Sequence, residues 1–163
     1  MSKENEKVFH RMIEEGFNKG NLAALDELFA PDFIEHQDGF VPPNIEGVKG
    51  AIVSLRTPFP DLKLNVEEII ASADKVWARI TARGTHQAPF MGRPPTGESF
   101  AIAVIDICRF EDGQIVEHWG VADRLGLMGP RACIATAIEA RLIGIRRRDL
   151  GQERSCLLSK QSQ

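Results

Sequence analysis

The chain opens with the hydrophobic period of a helix. Val8, Phe9, Met12, Ile13 and Phe17 recur along one side, with Glu and Lys on the other. Gly16 and Gly20 weaken the second half, and Gly20-Asn21 is the predicted stop. Asn21 is the predicted N-cap of a second helix, Leu22 to Phe29, which Pro31 ends. The apolar-led stretch from Asp32 to Gln37 fits either a brief strand or a pocket-side loop. After the turn-rich region from Gly39 to Gly47, residues Val48 to Leu55 predict a third helix, closed by Thr57-Pro58-Phe59-Pro60. From Leu62 onward the period changes to two. Leu62, Leu64 and Val66 alternate with polar neighbours, and Ser72 to Lys75 forms a turn. Val76, Ala78, Ile80 and Ala82 then face one way, with Trp77, Arg79, Thr81 and Arg83 facing the other. A Pro/Gly segment from Pro89 to Gly97 precedes a strand from Ser99 to Phe110, apolar on both faces as in a central strand. Glu111-Asp112-Gly113 signals a hairpin, and Gln114 to Val121 returns as the last strand.

Helices first and antiparallel strands afterwards define an α+β domain with helices packed on one sheet face. Composition narrows the class without changing this picture. At 163 residues, 43% hydrophobic and 26% charged, the chain is an ordinary globular sequence, which excludes a disordered or collagen-like protein. No apolar run is long enough for a membrane span. The first residues carry no secretory signal, and Cys108, Cys133 and Cys156 are too scattered for a disulfide framework, so the expected location is the cytoplasm. Residues 131–163 hold 7 basic and 3 acidic residues, and the remainder carries a net charge of −7. The domain expectation is therefore an acidic body, 1–130, and a basic extension, 131–163, helical and then frayed. An acidic body argues against nucleic acid as a partner.

Candidate chemistry consists of isolated ionisable residues on apolar strands, because no phosphate loop, dinucleotide fingerprint or nucleophile elbow is present. Asp106 shares a face with Phe100, Ile102, Val104 and Phe110, so it is either paired with an arginine (Arg79 or Arg83) or has a raised pKa. Asp123 follows the last strand in phase with Ile115, Trp119 and Val121. It is either the cap of the next turn or a base poised beside the indole. His86 ends an inward face, His36 follows Phe33-Ile34, and His118 has the opposite parity to Trp119. These histidines come from separate segments with no metal-ligand spacing, and a lone inward histidine is more often a hydrogen-bonded core residue than a catalyst. Cys108 alternates with apolar residues and reads as a small buried hydrophobe.

Three strings extend this picture. They are Phe59-Pro60-Asp61-Leu62, the run from Gly84-Thr85-His86 to Pro94-Pro95-Thr96-Gly97, and Asp112-Gly113-Gln114-Ile115-Val116-Glu117-His118-Trp119 with Asp123 and Leu125-Gly126-Leu127-Met128. Together, in this order and spacing, they resemble the SnoaL-like polyketide cyclases (ester cyclases) over about residues 5 to 130. The resemblance implies the nuclear transport factor 2-like fold, a cone-shaped α+β barrel in which N-terminal helices close a strongly curved antiparallel sheet around an apolar pocket. It implies intramolecular aldol closure of a hydrophobic polyketide ester, with no metal and no cofactor. Asp123 becomes the general acid/base, with His86 as a further catalytic candidate. Substrate-contact candidates are His36, Trp119, Phe33, Asp106, Arg109 and His118. Two departures stand out: Cys108-Arg109 occupies a place where the family uses an imidazole, and tyrosine is absent. A non-catalytic binding protein, an isomerase or an epoxide hydrolase with an Asp106–Arg–Asp123 arrangement are the alternatives on this fold. A homodimer or larger assembly is expected, because the central strand presents Ile105 and Ile107 on a face that helices do not cover.

Overall fold

The computed structural model describes residues 2–127. The expectations for the extension, its helix, Cys133 and Cys156, lie outside the described residues. Helix α1 (Ser2–Arg11) runs directly into a π-helical segment, Met12–Asn18. Wider turns suit the five-residue step from Met12 to Phe17, and Met12 and Ile13 are buried there. Gly16, which the pattern reads as a weakness, is a packing requirement. A Cβ on it would lie 2.7 Å from Leu25 Cδ2 on helix α2 (Ala23–Leu28). Asn21 does not cap α2. That helix has no side-chain cap, and the Asn21 amide donates instead to Glu15 at 3.2 Å.

Pro31 does not simply terminate α2; it lies inside strand β1 (Phe29–Glu35), an edge strand where a missing N–H is tolerated. Asn44, unmarked in the sequence pattern, caps helix α3 (Ile45–Arg56) by accepting from the N–H groups of Glu46 and Gly47. Strands β2 (Lys63–Ser72), β3 (Lys75–Thr85), β4 (Ser99–Glu111) and β5 (Gln114–Ala122) complete a five-stranded sheet in the order β1-β5-β4-β3-β2. Its pairings are antiparallel except at the edge, where β1 runs parallel to β5. Strand β4 is central, as its composition predicts.

The inner sheet face carries Val76, Ala78, Ile80 and Ala82 of β3 and Ile102, Cys108 and Phe110 of β4, all buried under Phe9, Met12, Leu25 and Ile52 from the helical side. Only this face is covered in the described residues, and β4 is thus buried on one side rather than on both. Across the outer face, strand register lines up Ile70, Trp77, Ile107 and Trp119. Ile70 is 68% exposed, Trp77 49% and the nearby Val121 72%. No helix of the described residues is long and apolar enough to cross a membrane.

Replacing Gly16 with Ala should lower stability in a denaturant melt by up to about 2 kcal/mol, because overpacking against Leu25 offsets the helix-propensity gain of about 1 kcal/mol. Light scattering at micromolar concentration should give a mass above that of one chain if a second copy shields the outer stripe. A strictly monomeric mass would remove that expectation.

Candidate active site

A β-bulge decides which residues of β5 face inward. In the β4–β5 ladder Arg109 pairs with Glu117 but Phe110 pairs with Ile115, so Val116 is an extra residue on β5. Ile115 points into the core. After the bulge the parity is inverted, and the inward residues are His118, Gly120 and Ala122. Trp119 and Val121 therefore occupy the outer face. This corrects the expectation that Trp119 and Asp123 share a pocket side.

Beneath the helices an apolar cavity is walled by phenylalanines, among them Phe17, Phe40, Phe59 and Phe100. Its polar lining is confined to Gln37, Asp106 and His118. Asp106 lies directly across the ladder from Gly120, and a Cβ on Gly120 would sit 2.0 Å from Gln37 Oε1 and 3.0 Å from Asp106 Oδ1. The missing side chain is thus what lets the Gln37 amide and the Asp106 carboxyl group approach the same spot.

Asp106 is buried at 5% exposure, and its partner is not an arginine. Arg79 lies on the outer face and is paired with Glu68 at 3.0 Å, and Arg83 shares its strand parity. Instead His118 Nε2 lies 3.5 Å from Asp106 Oδ1. On the other side of the imidazole, both carboxyl oxygens of Glu35 lie 2.9 Å from His118 Nδ1. Glu35 is 4% exposed and His118 7%. Burial acts to lower the His118 pKa, but hydrogen bonds and charge from Asp106 and Glu35 overcome it and push the pKa up to about 10. The imidazole is therefore biased toward its charged form. Cys108 stands directly across the ladder from His118 and is fully buried. Burial, with the carboxylates of Asp106 and Glu35, pushes its thiol pKa well up, which matches the expectation of an inert small hydrophobe.

The remaining candidates lie elsewhere. Asp123 is exposed, and its Oδ1 accepts the N–H of Gly126 at 2.8 Å, capping the short helix α4 (Arg124–Leu127). The capping alternative describes it. His36 is also exposed and stacks on Trp119 at 4.6 Å with the rings 4° from parallel; Lys75 lies 5.7 Å from the Trp119 ring. Outer-face position, set by the bulge, removes both residues from the cavity. Arg109 is engaged by Glu117 and Glu111, which raise its pKa further, and it too is absent from the cavity lining. Phe33 is a core residue, edge-on to Phe29 at 4.6 Å. His86 is buried behind the wall residue Phe59. Its Nδ1 lies 3.2 Å from Thr96 Oγ1, and its Nε2 has no partner among the described residues. Its backbone bonds to Glu98 and Gly97 pin the Pro/Gly loop, so its place is structural and it does not line the cavity. The sequence reading missed Glu35 and Gln37 as site residues. Parity with Phe33 was the available signal for Glu35; nothing local marked Gln37. Among the described residues no group of three or more His, Cys, Asp or Glu side chains is arranged to hold a metal ion.

The family model described as SnoaL-like polyketide cyclase matches residues 7–129. The aklanonic acid methyl ester cyclase of Streptomyces sp. (strain C5) is 29% identical over 126 residues, covering 73% of this chain and 76% of that protein. Among solved structures, IdmH from Streptomyces antibioticus, a candidate polyketide cyclase, is 36% identical with a TM-score of 0.69, covering 76% of this chain and 95% of that one. AclR from Streptomyces galilaeus, a candidate hydroxylase, is 29% identical with a TM-score of 0.69, covering 78% and 95%.

The raised His118 pKa predicts how stability depends on pH. A group with a folded pKa above its unfolded value contributes fully below the unfolded value, 6.5, and loses that contribution as pH rises toward about 10. Melting temperature should therefore fall steadily across this window. A melting temperature that stays level between these limits would contradict a buried imidazolium.

Proposed function

The chain belongs to the SnoaL-like polyketide cyclase family and is an enzyme, and on that premise we propose that it closes a ring by intramolecular aldol condensation. The substrate is a hydrophobic polyketide-like ester or ketone. Asp106 is the general acid/base, and His118 is its cationic partner. One observation supports this assignment above the others: Asp106 and His118 are the ionisable side chains on the cavity lining, whereas Asp123 lies outside it.

The chemistry suits the place. A C–H bond between two carbonyl groups is acidic enough for a carboxylate held in an apolar cavity. Asp106 takes that proton, and the resulting enolate carbon attacks a ketone of the same molecule. A carbon–carbon bond forms, and the Asp106 carboxyl returns its proton to the new alkoxide. The product is an isomer of the substrate, with every atom retained. His118, as an imidazolium, offers a charged donor near the oxygen where negative charge builds, and the Gln37 amide adds a neutral one. The phenylalanine walls exclude water and hold a flat, conjugated substrate.

Aklanonic acid methyl ester, the compound named for the relative, is the first substrate to test, with products separated by chromatography and weighed by mass spectrometry. Ring closure gives a product of unchanged mass. Addition of one oxygen would instead assign hydroxylation. The Asp106→Asn variant should lose at least ~10²-fold in turnover, the lower range for a positioned general base, while Asp123→Asn should stay near wild type. Full activity in Asp106→Asn, with the same melting curve, would overturn the assignment.

A further inference from the structure

We propose that Glu35 is a positioning residue for this reaction: it fixes the orientation and the proton content of His118 from behind, without touching the substrate. The proposal rests on the assignment of Asp106 and His118 to proton transfer.

Placement is the first support. Glu35 is absent from the cavity lining but 96% buried directly behind the imidazole that does line it. Both of its oxygens reach His118 Nδ1, and one of them, Oε1, also accepts the backbone N–H of Gln37 at 2.8 Å. A single carboxyl group thus holds two of the three polar residues of the cavity, His118 by its ring and Gln37 by its backbone. A second support is directional. A carboxylate at Nδ1 requires a hydrogen on that nitrogen, so Nε2 is the atom left to face Asp106 and the cavity. The third is topological. Glu35 arrives from β1, 83 residues before His118, by the parallel register that sets the two residues opposite each other.

The groups facing His118 come from two neighbouring strands. Glu35 comes from β1, and Asp106 and Cys108 come from β4. The charged groups next along β5 and β4, Glu117 and Arg109, face the outer side and bind each other. Glu35 and Asp106 therefore carry the acid–base behaviour of the imidazole between them. Loss of the Glu35 charge leaves Asp106 alone to hold the proton on His118.

The test compares Glu35→Gln, which keeps the shape and an acceptor but removes the charge, with Glu35→Asp, which keeps the charge but shortens the reach. In Glu35→Gln, kcat should fall about 10-fold or more with little change in KM, as expected for a group acting on the transition state. The high-pH limb of kcat and the His118 ring titration, followed by NMR without substrate, should both move down by at least about one pH unit. Glu35→Asp should lie between this variant and wild type. A Glu35→Gln protein that melts earlier yet keeps the wild-type pH profile and His118 titration would overturn the proposal, leaving Glu35 as structural only. If Glu35→Gln does not fold, Glu35→Asp decides alone, and a wild-type titration there overturns the proposal equally. The underlying assignment fails by a different sign: full activity in Asp106→Asn. A shifted His118 titration in the same series would still support the Glu35–His118 coupling.

Discussion

An imidazole held between two carboxyl groups in the buried interior is the constraint on which the rest of this molecule depends. Burying one charge costs several kcal/mol, and the cost is offset only when every partner is in hydrogen-bonding position. The groups that surround His118 come from three strands. Glu35 comes from β1, Asp106 from β4, and β5 itself supplies the ring. The registers of two ladders must therefore be correct at once, one parallel and one antiparallel. A slip of one residue in either would turn a carboxyl group to the opposite sheet face, away from the imidazole. The same cluster that makes the cavity chemically useful thus also makes the sheet intolerant of register error.

The bulge at Val116 is the device that makes this cluster possible. Without the extra residue, the inward series that begins at Ile115 would continue through Glu117 and Trp119, and His118 would face outward. With it, the strand buries an apolar residue at its start and presents an imidazole, a glycine and an alanine further along. That sequence of sizes matters. His118 supplies the chemistry, Gly120 leaves room for Gln37 and Asp106, and Ala122 keeps the cavity open toward α4. Trp119 is displaced to the outer face, where it stacks on His36 beside an apolar stripe that runs across four strands.

The family comparison and the geometry address different questions. Membership fixes the fold and the enzyme family, and it carries the motifs from Gly84 to Gly97 and from Asp112 to Trp119. Motif position alone did not separate the groups that line the cavity, such as His118, from those that do not. Asp123 stands in the motif but caps α4, and His86 stands in another but anchors a loop with Thr96. Asp106 and His118 owe their standing to burial and mutual contact. An imidazole buried between carboxyl groups has altered acid–base properties whatever string it belongs to.

Hydrophobic period and turn residues determined the order of elements, the central place of β4, the inward face of β3 and the hairpin at Asp112-Gly113. These follow from local sterics and from which side of each element must avoid water, and both are written residue by residue. The sequence also offered Asp106 as a buried carboxyl group and set His118 apart from Trp119, but it could not say which of those two faces the cavity. That required the bulge, a mismatch between two strands rather than a property of either. Glu35 and Gln37 were hidden for a related reason. Their chemistry depends on a parallel pairing with a strand far along the chain, and local period carries no information about which distant residue will lie opposite. The helices and strands are thus legible in the chain, while the charge network was decided only by the way the strands meet.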